Sequence, residues 1–316
     1  MLISISDIVA AEIRISRFIN QTSVVTSREL NHLFNGQFFF KCENLQKAGA
    51  FKMRGASNAV FSLTDEEAKF GVATHSSGNH AAALSLAASL RGISAFVVMP
   101  ENAPKPKIEN VKRFGGMITF CPPTQKDREE TLARLVKETG AVPVHPSNDL
   151  KVITGQATAA LEFLEEIKDL DFILTPVGGG GLLAGTALAA KSVKPGIRVI
   201  GVEPEAVNDA FLSLTTGTIH PPTGGKSVAD GLLTSLGTHN FPIIQNFVDE
   251  IITVSEDSIL EALKVLVHHL KLDIEPSSAV PFAAFLEGKI KADGKKIGII
   301  LSGGNVDKSK FPEIWG

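Results

Sequence analysis

Residues 38–56 read FFFKCENLQKAGAFKMRGA. A strand-like apolar run over 37–42 gives way to a polar loop holding Gly49, and a helical pattern then covers 51–63. Lys52 stands between Phe51 and Met53. An amine with apolar neighbours loses hydration, which lowers its pKa toward the range an amine nucleophile needs. Taken alone, the window favours a plainer reading, with Lys52 and Arg54 as cations on a helix surface. Two glycine-bearing stretches further along reverse that balance.

Working outward, the chain alternates strands and helices. GVATH at 71–75 is a short strand, SSGN at 76–79 a turn, and the alanine- and leucine-rich 80–90 a helix. Strands over 93–99, 117–121 and 141–144 follow, separated by helices over 103–114 and 126–138. A second series starts with a helix over 153–167 and a strand over 171–177. Four glycines and a helix over 182–190 come next, and strands over 198–202, 250–254 and 296–301 complete it. The region 215–236, rich in Gly, Pro, Thr and Ser, reads as loop. Strands alternating with helices imply parallel sheets with crossover helices. The expectation is an α/β protein of two doubly wound parallel-sheet units. The smaller, 71–148, is inserted in a larger one built from 1–70 and 149–316.

Bulk properties narrow the function. The chain has 316 residues, is 44% hydrophobic and 21% charged, and carries a formal net charge of −3. That is a globular composition, and the mild acidity argues against nucleic-acid or polybasic membrane partners. Cys42 and Cys121 lie far apart in apolar runs, so they read as core thiols, not as a zinc or disulfide framework. Residues 1–18 carry acids and read as an amphipathic helix, not a signal peptide. No stretch of 18 apolar residues occurs, and a cytoplasmic location is the expectation.

The chemistry-bearing turns lie where strands meet helices. Gly178, Gly179, Gly180 and Gly181 let backbone N–H groups approach an anion, and the helix that follows adds its positive end. The run departs from GxGxxG because position 183 is Leu. Gly224-Gly225-Lys226-Ser227 resembles the end of a P-loop but lacks the first glycine, His220 standing there, and is set aside. Ser76, Ser77, Asn79 and His80 could hold a carboxylate, or could simply cap a helix. Ser302-Gly303-Gly304-Asn305 ends the last strand, and carboxyl ends of parallel strands are where such folds bind ligands.

KAGAFKMRGA, SSGNH, PVGGGGLLAG and SGGN, in this order, resemble the fold-type II pyridoxal-phosphate enzymes of tryptophan-synthase-β-like architecture. The resemblance is closest to the serine racemase and serine/threonine dehydratase branch and covers essentially the whole chain. It implies a Schiff base between Lys52 and pyridoxal 5′-phosphate, with Lys52 as the base on one face of the substrate Cα. Phe51 would border the ring, and Asn79 would bond the 3′-oxygen. Gly178 to Gly181 with Leu182 would hold the phosphate, and Ser302 would bond the pyridine nitrogen. Ser76, Ser77, Asn79 and His80 would clasp the substrate carboxylate. Racemisation needs an acid/base on each face of the carbanion. The racemases place a serine at the position of Ser77, on the second face. Many threonine dehydratases have alanine there, while some hydroxyaspartate dehydratases keep the serine.

The segment 203–209, EPEAVND, resembles the branch's divalent-cation loop. Carboxylates of Glu203 and Asp209 and the carbonyl of Val207 would bind Mg²⁺, or Ca²⁺ or Mn²⁺. Ala48 and Ala82 replace the threonine and glutamine of nucleotide-regulated animal members, so ATP activation is not expected. Ser147 stands where Asn or an aromatic is common, facing substrate. Arg128 matches an arginine able to bind a second substrate carboxylate, or is a helix-surface charge. The expectation is a small-molecule amino-acid enzyme, a homodimer by family habit. It would act as a serine racemase with serine and threonine dehydratase activity. The rivals are a dedicated threonine or 3-hydroxyaspartate dehydratase and a non-catalytic amino-acid-binding regulator.

Overall fold

The computed structural model describes residues 3–315, so Met1 and Leu2 of the expected N-terminal helix and the terminal Gly316 lie outside the described residues. Strands are β1 (Val24–Val25), β2 (Gln37–Cys42), β3 (Val72–His75), β4 (Ala95–Pro100), β5 (Met117–Cys121), β6 (Val142–Pro143), β7 (Phe172–Pro176), β8 (Arg198–Pro204), β9 (Glu250–Val254) and β10 (Lys296–Leu301). A six-stranded sheet runs β1-β2-β10-β7-β8-β9 and a four-stranded sheet runs β5-β4-β3-β6. Every pairing is parallel except β1 with β2. The smaller sheet draws only on residues 72–143 and the larger on residues before and after, so the smaller unit is inserted in the larger.

Period-two burial fixes the faces of the larger sheet. Ile297, Ile299 and Leu301 of β10 join the core under the helices Glu256–Leu270 and Pro276–Leu286. Ile300 joins the opposite core, with the helices Leu150–Glu166 and Gly181–Val193. Helices therefore cover both faces, as a doubly wound sheet requires.

Some elements differ from expectation. The first helix spans Ile5–Ile15, shorter than the expected 1–18, and a reciprocal capping box of Ser4 and Asp7 sets its start. Helices at Asp209–Thr216 and Phe241–Phe247 were not anticipated, being short and weakly periodic. No helix of the described residues is long and apolar enough to cross a membrane. Cys42 and Cys121 are buried free thiols.

Arg54 is not a surface cation: its side chain is fully buried. Its guanidinium donates to both oxygens of Glu43 at 2.8 Å and to Glu162 at 3.0 Å. Lys41 joins from β2 through Glu162. Thr22 adds its hydroxyl to Glu43 at 2.6 Å and its N–H to Glu162 at 2.9 Å. Two cations and two anions thus satisfy one another in the interior. They tie β2 and the helix Leu150–Glu166 to the helix Lys52–Phe61 that begins at Lys52.

Candidate active site

The loops after β2, β3, β7, β8 and β10 all leave the carboxyl ends of parallel strands. The Lys52 loop is stitched to the end of β10. Phe51 N–H donates to the Ser302 carbonyl at 3.0 Å, Gly304 N–H donates to the Gly49 carbonyl at 2.9 Å, and Ala50 bridges Gly303. Lys52 Nζ donates to the Pro146 carbonyl at 2.8 Å and stands 5.0 Å from the Phe51 ring centroid. Loss of hydration lowers its amine to about 8, against the opposing pull of the Glu275 carboxylate.

Gly178 to Gly181 link β7 to the helix Gly181–Val193. Among the described residues none of their four backbone N–H groups meets an acceptor. Gly180 has φ +78°, and a Cβ on Gly179 would lie 2.5 Å from Ser147 Oγ, so both positions require glycine. Leu182 is buried at the helix start. A row of unpaired donors at a helix N-terminus is an anion cup.

Asn79 opens the helix Asn79–Arg91 of the smaller unit and reaches into the larger one. Its Nδ2 lies 3.1 Å from both carboxylate oxygens of Glu275, and its Oδ1 accepts from Asn305 Nδ2 at 2.9 Å. Asn305 also donates to the Ala48 carbonyl at 2.8 Å. The amide of Asn79 is thereby held in one orientation. Glu275 is buried, and loss of hydration pushes its carboxyl up to about 7 despite the Asn79 bond. Ser302, also buried, shares a 3.1 Å contact with the Ser278 hydroxyl.

Sequence reading missed Glu275. The only available signal was an acid set against Ile274 and the apolar helix Pro276–Leu286.

In the turn after β3, Gly78 N–H reaches Ser76 Oγ at 3.4 Å, and no hydrogen bond among the described residues engages Ser77 Oγ. The His80 ring is buried, with Nε2 3.3 Å from the Val144 carbonyl and Nδ1 unpartnered. Its ring thus faces the smaller unit's own backbone, and burial holds it well below the usual imidazole range. Ser147 is buried against the glycine loop. Arg128, part-buried on the helix Gln125–Thr139, has a buried Nε without a partner, and its charge reaches His75, the residue before Ser76.

Glu203, near the end of β8, and Asp209, the first residue of the helix Asp209–Thr216, are both buried. Glu203 accepts from Ala210 N–H at 3.0 Å and Phe211 N–H at 2.9 Å, while Asp209 Oδ2 has no partner. Burial raises Glu203 to about 8 and Asp209 to about 6. Val207 is buried between them. Among the described residues no three His, Cys, Asp or Glu side chains cluster tightly enough to hold a metal. A cation here would need carbonyl and water oxygens as well.

A dehydrated lysine, an anion cup and a buried serine, at the carboxyl ends of parallel strands, accompany the fold of a fold-type II pyridoxal-phosphate enzyme. The chain belongs to the pyridoxal-phosphate dependent enzyme family, whose model matches residues 15–303. It is similar to the serine racemase of Arabidopsis thaliana, 49% identical over 93% of this chain and 90% of that one. The beta-hydroxyaspartate dehydratase of Paracoccus denitrificans is 49% identical over 97% of both chains. The crystal structure of serine racemase from Dictyostelium discoideum superposes with a TM-score of 0.93 at 46% identity, covering 96% of this chain and 99% of that one. The unpaired N–H groups of Gly178 to Gly181 and the dehydrated Lys52 amine fit the cofactor's phosphate and carbonyl ends.

Proposed function

We propose that the protein is a serine racemase that also dehydrates L-serine and L-threonine to 2-oxo acid and ammonia. What supports this is a dehydrated Lys52 amine on the larger unit together with a Ser77 hydroxyl, on the turn after β3 of the smaller unit, that no hydrogen bond among the described residues engages. Pyridoxal 5′-phosphate, when bound, supplies an electron sink for charge developing at the substrate Cα. The Lys52 amine, brought to about 8, takes and returns the α-proton on one face. Ser77 Oγ carries a proton on the other. The N–H groups of Ser77, Asn79 and His80, with the Ser76 and Asn79 side chains, would hold the substrate carboxylate. Ser302 would offer a neutral hydroxyl to the cofactor's ring nitrogen. Once the α-proton is gone a β-hydroxyl would leave as water, taking up one proton, and water would then hydrolyse the resulting imine to 2-oxo acid and ammonia.

The equal identity to a beta-hydroxyaspartate dehydratase supports a second reading, in which 3-hydroxyaspartate is the preferred substrate. The buried, unpartnered Nε of Arg128 would serve its extra carboxylate. Product analysis separates the two. D-serine with pyruvate from L-serine supports the racemase. Pyruvate alone, with faster turnover of 3-hydroxyaspartate, supports the dehydratase.

Residues 71–148 are taken as a unit that closes over substrate and excludes water. The ion pair of Lys107 with Asp230, 2.6 Å across the cleft between the units, supports this closing role. Glu203, Asp209 and the Val207 carbonyl are taken to bind Mg²⁺ or Ca²⁺; the support is two buried carboxylates with no cationic side chain against them among the described residues. A homodimer is supported by Ile5, Val9 and Ile13, exposed along one side of the first helix. Free thiols at Cys42 and Cys121 accord with a reducing compartment such as the cytoplasm.

A further inference from the structure

Asn240 precedes the helix Phe241–Phe247 at the N-cap position, yet its side chain makes no capping bond. Asparagine is favoured at that position because its oxygen normally accepts from the first helical turn. Here the amide turns away and is fully buried. Its Nδ2 donates to the carbonyls of Gly179 at 2.8 Å and Ser147 at 3.0 Å, and its Oδ1 accepts from Gly237 N–H at 3.0 Å. Both donor hydrogens and the acceptor are used, so the amide can take only this orientation.

The grip on Gly179 matters for the anion cup. A peptide is a rigid plane, and in a trans peptide the C=O and N–H point in opposite directions. No cis peptide occurs among the described residues. Holding the Gly179 carbonyl therefore aims the Gly180 N–H away from Asn240. Gly180 sits at φ +78°, where the peptide has no intrinsic preference to stay. A flip of that plane would put a carbonyl oxygen, with its partial negative charge, where the cup needs a donor. Asn240 also joins the cup to Ser147, next to Pro146, whose carbonyl holds Lys52 Nζ at 2.8 Å.

We infer that Asn240 is a positioning residue for cofactor phosphate: by fixing the Gly179–Gly180 peptide plane it keeps the glycine loop open to an anion. This rests on the family's cofactor occupying the loop. Nothing in this role touches substrate or the reacting atoms.

The test compares two probes on the cofactor-stripped full chain, pyridoxal 5′-phosphate and pyridoxal, which lacks the phosphate. In Asn240→Asp, of the same shape but without donors, affinity for pyridoxal 5′-phosphate should fall at least about tenfold while that for pyridoxal changes by less than about twofold. The phosphorus NMR signal of the bound phosphate should shift. Asn240→Ser, which keeps one donor, should fall between, and it decides the matter if Asn240→Asp does not fold. Equal losses for both probes would mean general loosening and would overturn the inference, as would unchanged phosphate affinity. Wild-type protein that bound neither probe would sink the cofactor assignment itself, and this role with it.

Discussion

The side-chain amide of Asn79 lies 3.1 Å from both carboxylate oxygens of Glu275, joining the smaller unit to the larger at the heart of the site. Glu275 is raised from 4.5 to about 7, mainly by burial, with Asp230 raising it further and Asn79, Lys107 and Lys52 opposing. A raised carboxyl keeps its proton in the folded state where the unfolded chain has lost it. Stability therefore falls as pH rises from about 4.5 to about 7 and is level above. Glu275→Gln should remove that part of the slope. Melting curves of the cofactor-free wild type and variant between pH 4 and pH 9 (roughly the span of both pKa values) should converge at the acid end, with the variant higher above pH 7. Parallel curves would refute this.

Lys52→Ala should lose the covalent absorption band of the cofactor and all turnover; an intact band would exclude Lys52 as the attachment point. The wild-type amine is mostly neutral only above about 8. Stopped-flow capture of pyridoxal 5′-phosphate should accordingly accelerate as pH rises through that value and then level off.

Ser77→Ala removes the proposed second-face proton carrier and leaves Lys52 in place. D-serine formation should drop by about a hundredfold or more, in line with loss of one general acid–base group. Pyruvate formation from L-serine should change by far less. Equal losses in both products would assign Ser77 to carboxylate binding alone.

A cation between Glu203 and Asp209 would relieve two carboxyls that burial has raised to about 8 and about 6. Adding Mg²⁺ or Ca²⁺ to chelator-treated protein should raise the melting temperature, by mass action on the folded state. In Glu203→Gln the metal-dependent increment should vanish. A persistent increment would place the ion elsewhere.

Arg54→Met leaves Glu43 and Glu162 buried with one cation fewer. Breaking a buried pair from one side costs about 3–5 kcal/mol. Chemical denaturation should show a loss of that size, and cofactor affinity should weaken because the helix beginning at Lys52 loses its anchor. A change below about 1 kcal/mol, as for a solvent-exposed pair, would contradict the burial.

Strands and glycine turns were legible because they are written locally. The triple phenylalanine run marks β2, and the four glycines mark the turn after β7. Side chains that owe their position to remote partners were not. Arg54 looks like any helix cation until Glu162, more than a hundred residues away, is folded against it. Glu275 and Asn240 carry no local motif, and Asn240 sits where a cap would be expected. The helix Asp209–Thr216 was hidden because its first residues also fit the cation loop. Specific roles for Ser77 and Ser302 came from family resemblance, not from local pattern.

The placement of β2 also bears on synthesis. Its parallel partner β10 leaves the ribosome long after β2 does, with Phe38 pairing Ile297. At ~5–20 residues per second, the Phe38-Phe39-Phe40 run waits on the order of 10–50 s for that neighbour. Meanwhile β3 to β6, all within 72–143, can complete their own sheet. The nascent chain thus carries a finished inner unit beside an apolar strand with one open edge, and that edge is where chaperone engagement or misassembly would concentrate.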